Sequence, residues 1–343
     1  MIDLSCDYNC GCTPEIMEEL IKANAEQQST YGFDRYCDSA KEKIKAAVGN
    51  PDADVYFIMG GTQTNAIVLA DILQPWEGVV CAESGHITGH EAGAIEASGH
   101  KVITVRGDST GKIDLEALQS YLKTFYDDST CEHMVQPGAV YISQPTEYGG
   151  IYSKAELIAL RRICDRYSMR LYADGARLAY ALSSSYNDVT LEALGKLCDA
   201  FYIGGTKCGA LFGEAVVFKK EAPHFFTLRK QRGGLLAKGW LLGLQFDVLF
   251  TDGLYMKLGR NAAEMGELLA AGLHAAGVTM ACDSPTNQQF AVLNEKQLAA
   301  LDGKIGYSVW EKRGSDTVVR FCTSWRTEKA QVLELIDLLS KVQ

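Results

Sequence analysis

The chain is 343 residues long with 33 basic and 43 acidic side chains, a formal net charge of −10, 47% hydrophobic and 22% charged residues. This is the make-up of a soluble globular protein with enough chain for about two domains of ~150 residues, and it excludes disordered and fibrous architectures. The acidic balance argues against a duplex-binding surface, the densest basic stretch (Arg229, Lys230, Arg232) is short, and no apolar run approaches the ~20 residues of a membrane span. A small-molecule partner is therefore expected, with neither nucleic acid nor membrane.

Eleven cysteines stand at Cys6, Cys10, Cys12, Cys37, Cys81, Cys131, Cys164, Cys198, Cys208, Cys282 and Cys322. Their number is odd, their spacing irregular, no C-x-x-C occurs, and Met1-Ile2-Asp3-Leu4 lacks the basic and apolar regions of a signal peptide. The combination predicts a reducing cytoplasm. Zinc sites draw paired ligands from two places, and no second cluster answers Cys6, Cys10 and Cys12, so free thiols and no metal site are expected.

In chain order, the first thirty residues carry no strand pattern and are expected to pack on another subunit. Seven apolar runs then recur: Val55–Met59, Val79–Ala82, Val102–Val105, Ala139–Ser143, Leu171–Ala173, Ala200–Ile203 and Ala215–Phe218. Most are continuous rather than alternating, as strands buried on both faces of a parallel sheet read. Helical patterns lie between several of them: Thr62–Leu73, Asp114–Phe125 opening on a capping aspartate, and Ser153–Tyr167 opening on a capping box with Glu156. The alternation predicts a layered α/β fold. Past Phe218 the texture changes to long helical patterns, Lys238–Phe250 and Leu254–Ala276. Short runs follow at Val278–Cys282, Gln289–Leu293, Tyr307–Trp310 and Val318–Thr323, with a final amphipathic helix Thr327–Leu339. This predicts a large domain over 1–245, N-terminal segment included, and a smaller α+β domain over 246–343.

No dinucleotide or P-loop glycine fingerprint occurs, which removes the nicotinamide-dependent dehydrogenases. Two turns instead follow buried strands: Gly60-Gly61-Thr62-Gln63 and Gly204-Gly205-Thr206-Lys207. A Gly-Gly-Thr turn into a helix supplies free N–H groups and a hydroxyl, which suit a phosphate. Lys207, directly after an apolar strand, is placed to have the lowered pKa of a lysine that forms Schiff bases. Asp174 ends the run Leu171–Ala173, at the strand edge where open α/β sheets bind ligands. An aspartate, a lysine 33 residues later and a phosphate-type turn have one joint explanation, pyridoxal phosphate. His86, just after Val79–Ala82, could stack on its ring.

With Met1-Ile2-Asp3-Leu4, Asp7, Tyr31-Gly32, Gly61-Thr62, Asn65, His86, His133, Asp174-Gly175-Ala176-Arg177, Gly205-Thr206-Lys207 and Arg320 in this order and spacing, the chain resembles the low-specificity L-threonine aldolases. These belong to the β-eliminating lyase group of fold-type-I pyridoxal-phosphate enzymes. The resemblance spans nearly the whole chain. It implies a mostly parallel seven-stranded sheet between helices with a smaller C-terminal α+β domain, and a homotetramer, a dimer of dimers, with sites at subunit interfaces. It further implies that Lys207 forms the Schiff base, Asp174 pairs with the pyridine nitrogen, and His86 stacks on the ring. Gly61 and Thr62, with Thr206, would hold the phosphate. Arg177 and Arg320 would hold the substrate carboxylate, with Cys6 close to it and Tyr31 also on the substrate. His133 would reach the β-hydroxyl, and Lys230 would be presented to the neighbouring subunit's site.

Three departures touch specificity: Cys6 stands where the family has serine, Leu236 replaces an arginine near the phosphate with Lys238 as its substitute, and His90 replaces an aromatic residue. The implied activity is retro-aldol cleavage of L-threonine or L-allo-threonine to glycine and an aldehyde. Either histidine, His86 or His133, with an ordinary pKa near ~6.5, could be the base. Two alternatives stay open on the residues: another reaction of the same cofactor (β-elimination, racemisation or transamination), and a catalytically idle binding protein on the same fold.

Overall fold

The structure, a computed structural model, describes residues 1–342. Its strands are β1 (Ile2–Asp3), β2 (Asp54–Ile58), β3 (Glu77–Ala82), β4 (Val102–Val105), β5 (Gln136–Ser143), β6 (Arg170–Asp174), β7 (Ala200–Gly204) and β8 (Glu214–Phe218), then β9 (Thr279–Met280), β10 (Gln288–Leu293), β11 (Ile305–Gly306), β12 (Ser308–Arg313) and β13 (Asp316–Cys322). Seven of them form one sheet in the order β2-β8-β7-β6-β5-β3-β4. β8 runs antiparallel to both its neighbours, and the other six share one direction. All seven apolar runs read from the sequence are strands of this sheet.

Alternate residues of each strand feed separate cores, as the period-2 geometry of a strand requires. Val140, Ile142, Leu171, Ala173 and Phe201 face one side, packed with Leu118, Leu122, Leu157 and Leu160 of the helices Leu115–Asp127 and Lys154–Arg166. Ala139, Tyr141, Tyr172 and Tyr202 face the other, packed with Ile67, Val68 and Leu69 of the helix Gly61–Ile72. The caps are those the sequence indicates: the Asp114 side chain accepts from the N–H groups of Glu116 and Ala117, and Ser153 forms a capping box with Glu156. A cap of this kind contributes about 1 kcal/mol.

A second, four-stranded antiparallel sheet, β12-β13-β10-β9, is covered by the helices Leu254–Ala275 and Lys329–Ser340. Its core includes Leu269, Leu273, Val319, Phe321 and Leu335. The N-terminal segment departs from expectation. β1 pairs in parallel with β11, Leu4 is buried in this second core, and the Cys322 N–H donates to the Leu4 carbonyl. A two-residue strand is too short to show periodicity, so the sequence pattern concealed it. The segment is thus anchored on the C-terminal sheet of its own chain. All eleven cysteines are free, and among the described residues no helix is long and apolar enough to cross a membrane.

Candidate active site

The carboxyl ends of β5, β6 and β7 open onto a cavity of about 490 Å³ whose wall includes Tyr8, Gly61, Thr62, His86, Glu147, Asp174, Arg177, Lys207, Glu214, Trp310 and Arg320. Asp174 is the last residue of β6, and tyrosines on neighbouring strands aim their hydroxyls at it: Tyr141 donates to Oδ2 at 2.8 Å and Tyr202 to Oδ1 at 2.5 Å. Asn65 donates to Oδ2 at 3.0 Å and the Ala176 N–H to Oδ1 at 3.0 Å. Four donors thus fix one carboxylate. Gly175 makes the turn possible, because a Cβ there would lie 1.9 Å from the Tyr202 carbonyl oxygen.

Asn65 also donates to Glu91 Oε1 at 2.7 Å and accepts from the Tyr172 hydroxyl at 2.8 Å. The same Glu91 oxygen lies 2.8 Å from His86 Nδ1. Burial disfavours the charged imidazole, but the bond to Glu91 and the fields of Asp174 and Glu91 outweigh it and raise the His86 pKa above its ordinary value. His90, whose ring centroid is 5.6 Å from that of His86, shifts the other way through burial and the nearby His86 and Arg320 charges.

Lys207 follows β7 and is enclosed, with Nζ 5.8 Å from the centre of the Tyr8 ring. Burial, then the Arg177 charge, lower its pKa against the opposing pull of Asp7, Asp174 and Glu214. Thr206, beside it, donates to Glu214 Oε1 at 2.8 Å, and the Gly205 N–H donates to Oε2 at 3.1 Å. Burial nonetheless pushes the Glu214 carboxyl up to about 8. In contrast, the fork of Arg177 grips Asp7, with Nε at 2.6 Å and Nη2 at 3.0 Å, and Asn287 adds a third donor at 2.9 Å. Burial alone would raise Asp7, but the Arg177 and Lys207 charges and these hydrogen bonds hold it at about 2.

Of the residues singled out in the sequence, Gly61, Thr62, His86, His90, Asp174, Arg177, Lys207 and Arg320 line the cavity, and Thr206 adjoins it through Glu214. Arg177 enters as half of an ion pair, its fork already taken by Asp7. Arg320, on β13, donates to neutral partners, Ser308 (3.3 Å) and Gln288 (3.1 Å), and lies 5.2 Å from the centre of the Trp310 ring, so it is the better placed of the two to receive a carboxylate. His133 is not brought to this cavity by its own chain. It is exposed in a short turn before β5, at the amino end of that eight-residue strand, while the cavity lies at the carboxyl end, roughly 25 Å away at ~3.3 Å per residue. Cys6 does not line the cavity, and Tyr8, two residues on, does. Tyr31, Lys230 and Lys238 also lie outside it. Lys230 Nζ sits 4.8 Å from the Tyr31 ring, and the Tyr31 N–H donates to the carbonyl of Ala237, next to exposed Lys238. Glu147, Glu91, Glu214 and Trp310 are the cavity residues that the motifs did not pick out; Asp7, among the residues of the resemblance, enters as the partner of Arg177.

A family described as beta-eliminating lyase matches residues 3–302. The chain belongs to the beta-eliminating lyase family. It is 31% identical to the low specificity L-threonine aldolase of Pseudomonas sp. (strain NCIMB 10558), over 96% of this chain and 94% of that protein. It is similar also to the structure of Leishmania major threonine aldolase, with a TM-score of 0.95, 41% identity and 99% of each chain covered. An aspartate aminotransferase from Thermus thermophilus, 15% identical at a TM-score of 0.73 over 100% of this chain and 92% of that one, shares the fold.

The cavity of this beta-eliminating lyase fits pyridoxal phosphate. The helix Gly61–Ile72 begins at Gly60 with no side chain capping it, so its first N–H groups are available to an anion. A Cβ at Gly61 would meet the Tyr202 hydroxyl at 3.0 Å, so the residue needs to be small for backbone to approach there. A lysine of lowered pKa, a four-times-bonded aspartate and an imidazole face the same space.

Proposed function

We propose that the protein is a pyridoxal-phosphate-dependent lyase that cleaves L-threonine and L-allo-threonine, as β-hydroxy-α-amino acids, to glycine and an aldehyde. The observation that carries this reading is the meeting of Lys207, Asp174, His86 and Arg320 in one cavity at the end of the parallel strands. The names of the two relatives above, covered almost end to end, support the aldol reaction within the family.

Lys207 would hold the cofactor through Nζ, Asp174 would face the pyridine nitrogen, and His86 the ring. Gly61, Thr62 and Thr206 would take the phosphate. When bound, the cofactor draws off the electron pair left on Cα as the Cα–Cβ bond breaks. The chain does the rest. Arg320 fixes the substrate carboxylate, and Arg177, held by buried Asp7, lines the same cavity. Burial and the Arg177 charge lower the pKa of Lys207, which favours its neutral amine, the form that attacks a carbonyl.

Tyr31, Lys230 and Lys238 form an exposed group next to Phe33 and Phe226, whose rings lie 5.6 Å apart. In a homo-oligomer this face would carry Lys230 to the neighbouring subunit's site, and a dimer of dimers would satisfy it twice. A division near residue 245, with the N-terminal strand packed on the C-terminal part, and a cytoplasmic location, in keeping with eleven free thiols, complete the reading. Acetaldehyde and glycine release from threonine by purified protein tests it, with Lys207→Ala expected to abolish turnover. Substantial residual activity in that variant overturns the assignment.

A further inference from the structure

Within the chain His133 stands at the far edge of the sheet, and the His86 ring is tied through Nδ1 to Glu91 and assigned to the cofactor ring; resting on the aldolase reading above, we propose that Glu147 is the proton acceptor for the β-hydroxyl. It lies in the loop that follows β5, four residues past the strand's end, and lines the cavity. Its Oε1 accepts from the Ser143 hydroxyl at 2.7 Å and from the His86 N–H at 3.0 Å, which fixes the carboxyl beside the imidazole.

The other acids of the cavity are engaged. Asp174 has four donors on its two oxygens. Glu91 is wholly buried behind His86, with one oxygen shared between that ring and Asn65. Glu214 is tied to the Thr206 hydroxyl and the Gly205 N–H. Glu147 is half-buried, and burial raises its pKa, with Asp174 adding to the shift and Ser143 and His86 opposing it. Such a carboxylate is a stronger base than an exposed one.

The step balances without a redox partner. The O–H proton passes to the Glu147 carboxylate, and the oxygen's electron pair becomes the second C–O bond of the aldehyde. The Cα–Cβ bond breaks with its pair kept on Cα, which takes up one proton to complete glycine.

Glu147→Gln keeps the acceptor for Ser143 and His86 and removes the base. Three measurements on the holoenzyme separate the roles: aldehyde release from threonine, exchange of the glycine α-proton in D2O, and cofactor titration by absorbance. Glycine exchange needs no β-hydroxyl acceptor. Glu147→Gln is expected to lose about 10²–10³-fold in threonine cleavage while glycine exchange and cofactor affinity stay within about threefold, and Glu147→Asp is expected to recover part of the loss. Wild-type cleavage rates in Glu147→Gln overturn the assignment to Glu147 alone. Parallel loss of cleavage, exchange and cofactor binding overturns it too, in favour of a structural role. A wild-type protein that exchanges glycine but releases no aldehyde from threonine overturns the aldolase reading, and this role with it.

Discussion

Two buried acid–base pairs share the cavity and are held in opposite states. Arg177 and Asp7 meet fork to carboxylate at 2.6 and 3.0 Å, the arginine is raised and the aspartate sits at about 2. Lys207 and Glu214 attract each other across the cavity without a hydrogen bond between them. There the lysine is lowered and the glutamate rises to about 8. Burial opposes charge at all four groups, so depth does not distinguish the pairs. Direct bidentate contact does: it returns enough Coulomb and hydrogen-bond energy to keep Asp7 and Arg177 ionised, and its absence leaves Lys207 free to change charge. A structural pair and a chemical lysine can therefore stand in one pocket.

The largest effect is expected on breaking the ionised pair. Asp7→Asn keeps the shape but leaves Arg177 charged, enclosed and uncompensated, at a cost of about 3–5 kcal/mol in denaturant unfolding of the apoprotein. The folded pKa of Asp7 is depressed from 3.8 to about 2, so the stability it contributes is present above pH 4 and is lost only as the pH falls through 2. The penalty should thus be constant from pH 5 to 9. A variant as stable as the wild type would show that the pair contributes nothing net.

Much of this arrangement is written locally in the chain, and the two pairs show where that stops. Lys207, Asp174 and His86 each follow an apolar run closely, so a rule about the carboxyl ends of strands found them. Glu147, four residues after Ser143, also follows a strand end but is not singled out by any motif. His133 precedes its strand instead of following it, and that order puts it at the opposite edge of its own chain's sheet. Asp7 and Arg177 are 170 residues apart, and nothing local announces that they touch. Glu214 reads as the polar first residue of an apolar strand. Its chemistry arises from β8 lying antiparallel beside β7, which sets Glu214 opposite Gly204 in the register, a fact of topology and not of composition. The N-terminal strand β1 was hidden for a related reason, since its two residues find their partner some 300 positions away in β11.

A smaller effect, and one with a definite sign, is expected at the second pair. The folded pKa of Glu214 is raised from 4.5 to about 8, so its contribution to stability is fully present below pH 4.5 and is lost as the pH rises through 8. Glu214→Gln removes that dependence. Thermal unfolding of the apoprotein should give similar midpoints for wild type and variant at pH 5, with the variant the more stable at pH 8.5. The reverse order at pH 8.5 would mean that Glu214 is ionised and paired with Lys207 as Asp7 is with Arg177, and the contrast between the pairs would fail.

The finest test leaves both carboxylates in place and alters one hydrogen bond. Thr206 donates its hydroxyl to Glu214 Oε1 at 2.8 Å and accepts from the Gly213 N–H at 3.0 Å. Thr206→Val keeps the β-branched shape while removing both bonds, for a loss of about 1–3 kcal/mol in stability. A donor to a carboxylate favours its charged form, so without it Glu214 should move further up. The proton it then keeps to higher pH withdraws a negative charge from the surroundings of Lys207, whose pKa that charge supports. The Lys207 pKa, followed as the pH dependence of its labelling by an amine-reactive reagent in the apoprotein, should fall in Thr206→Val by a few tenths of a unit. It should not move in Thr206→Ser, which keeps the hydroxyl. An equal shift in both variants would tie the effect to packing, and the coupling between lysine and glutamate would lose its support.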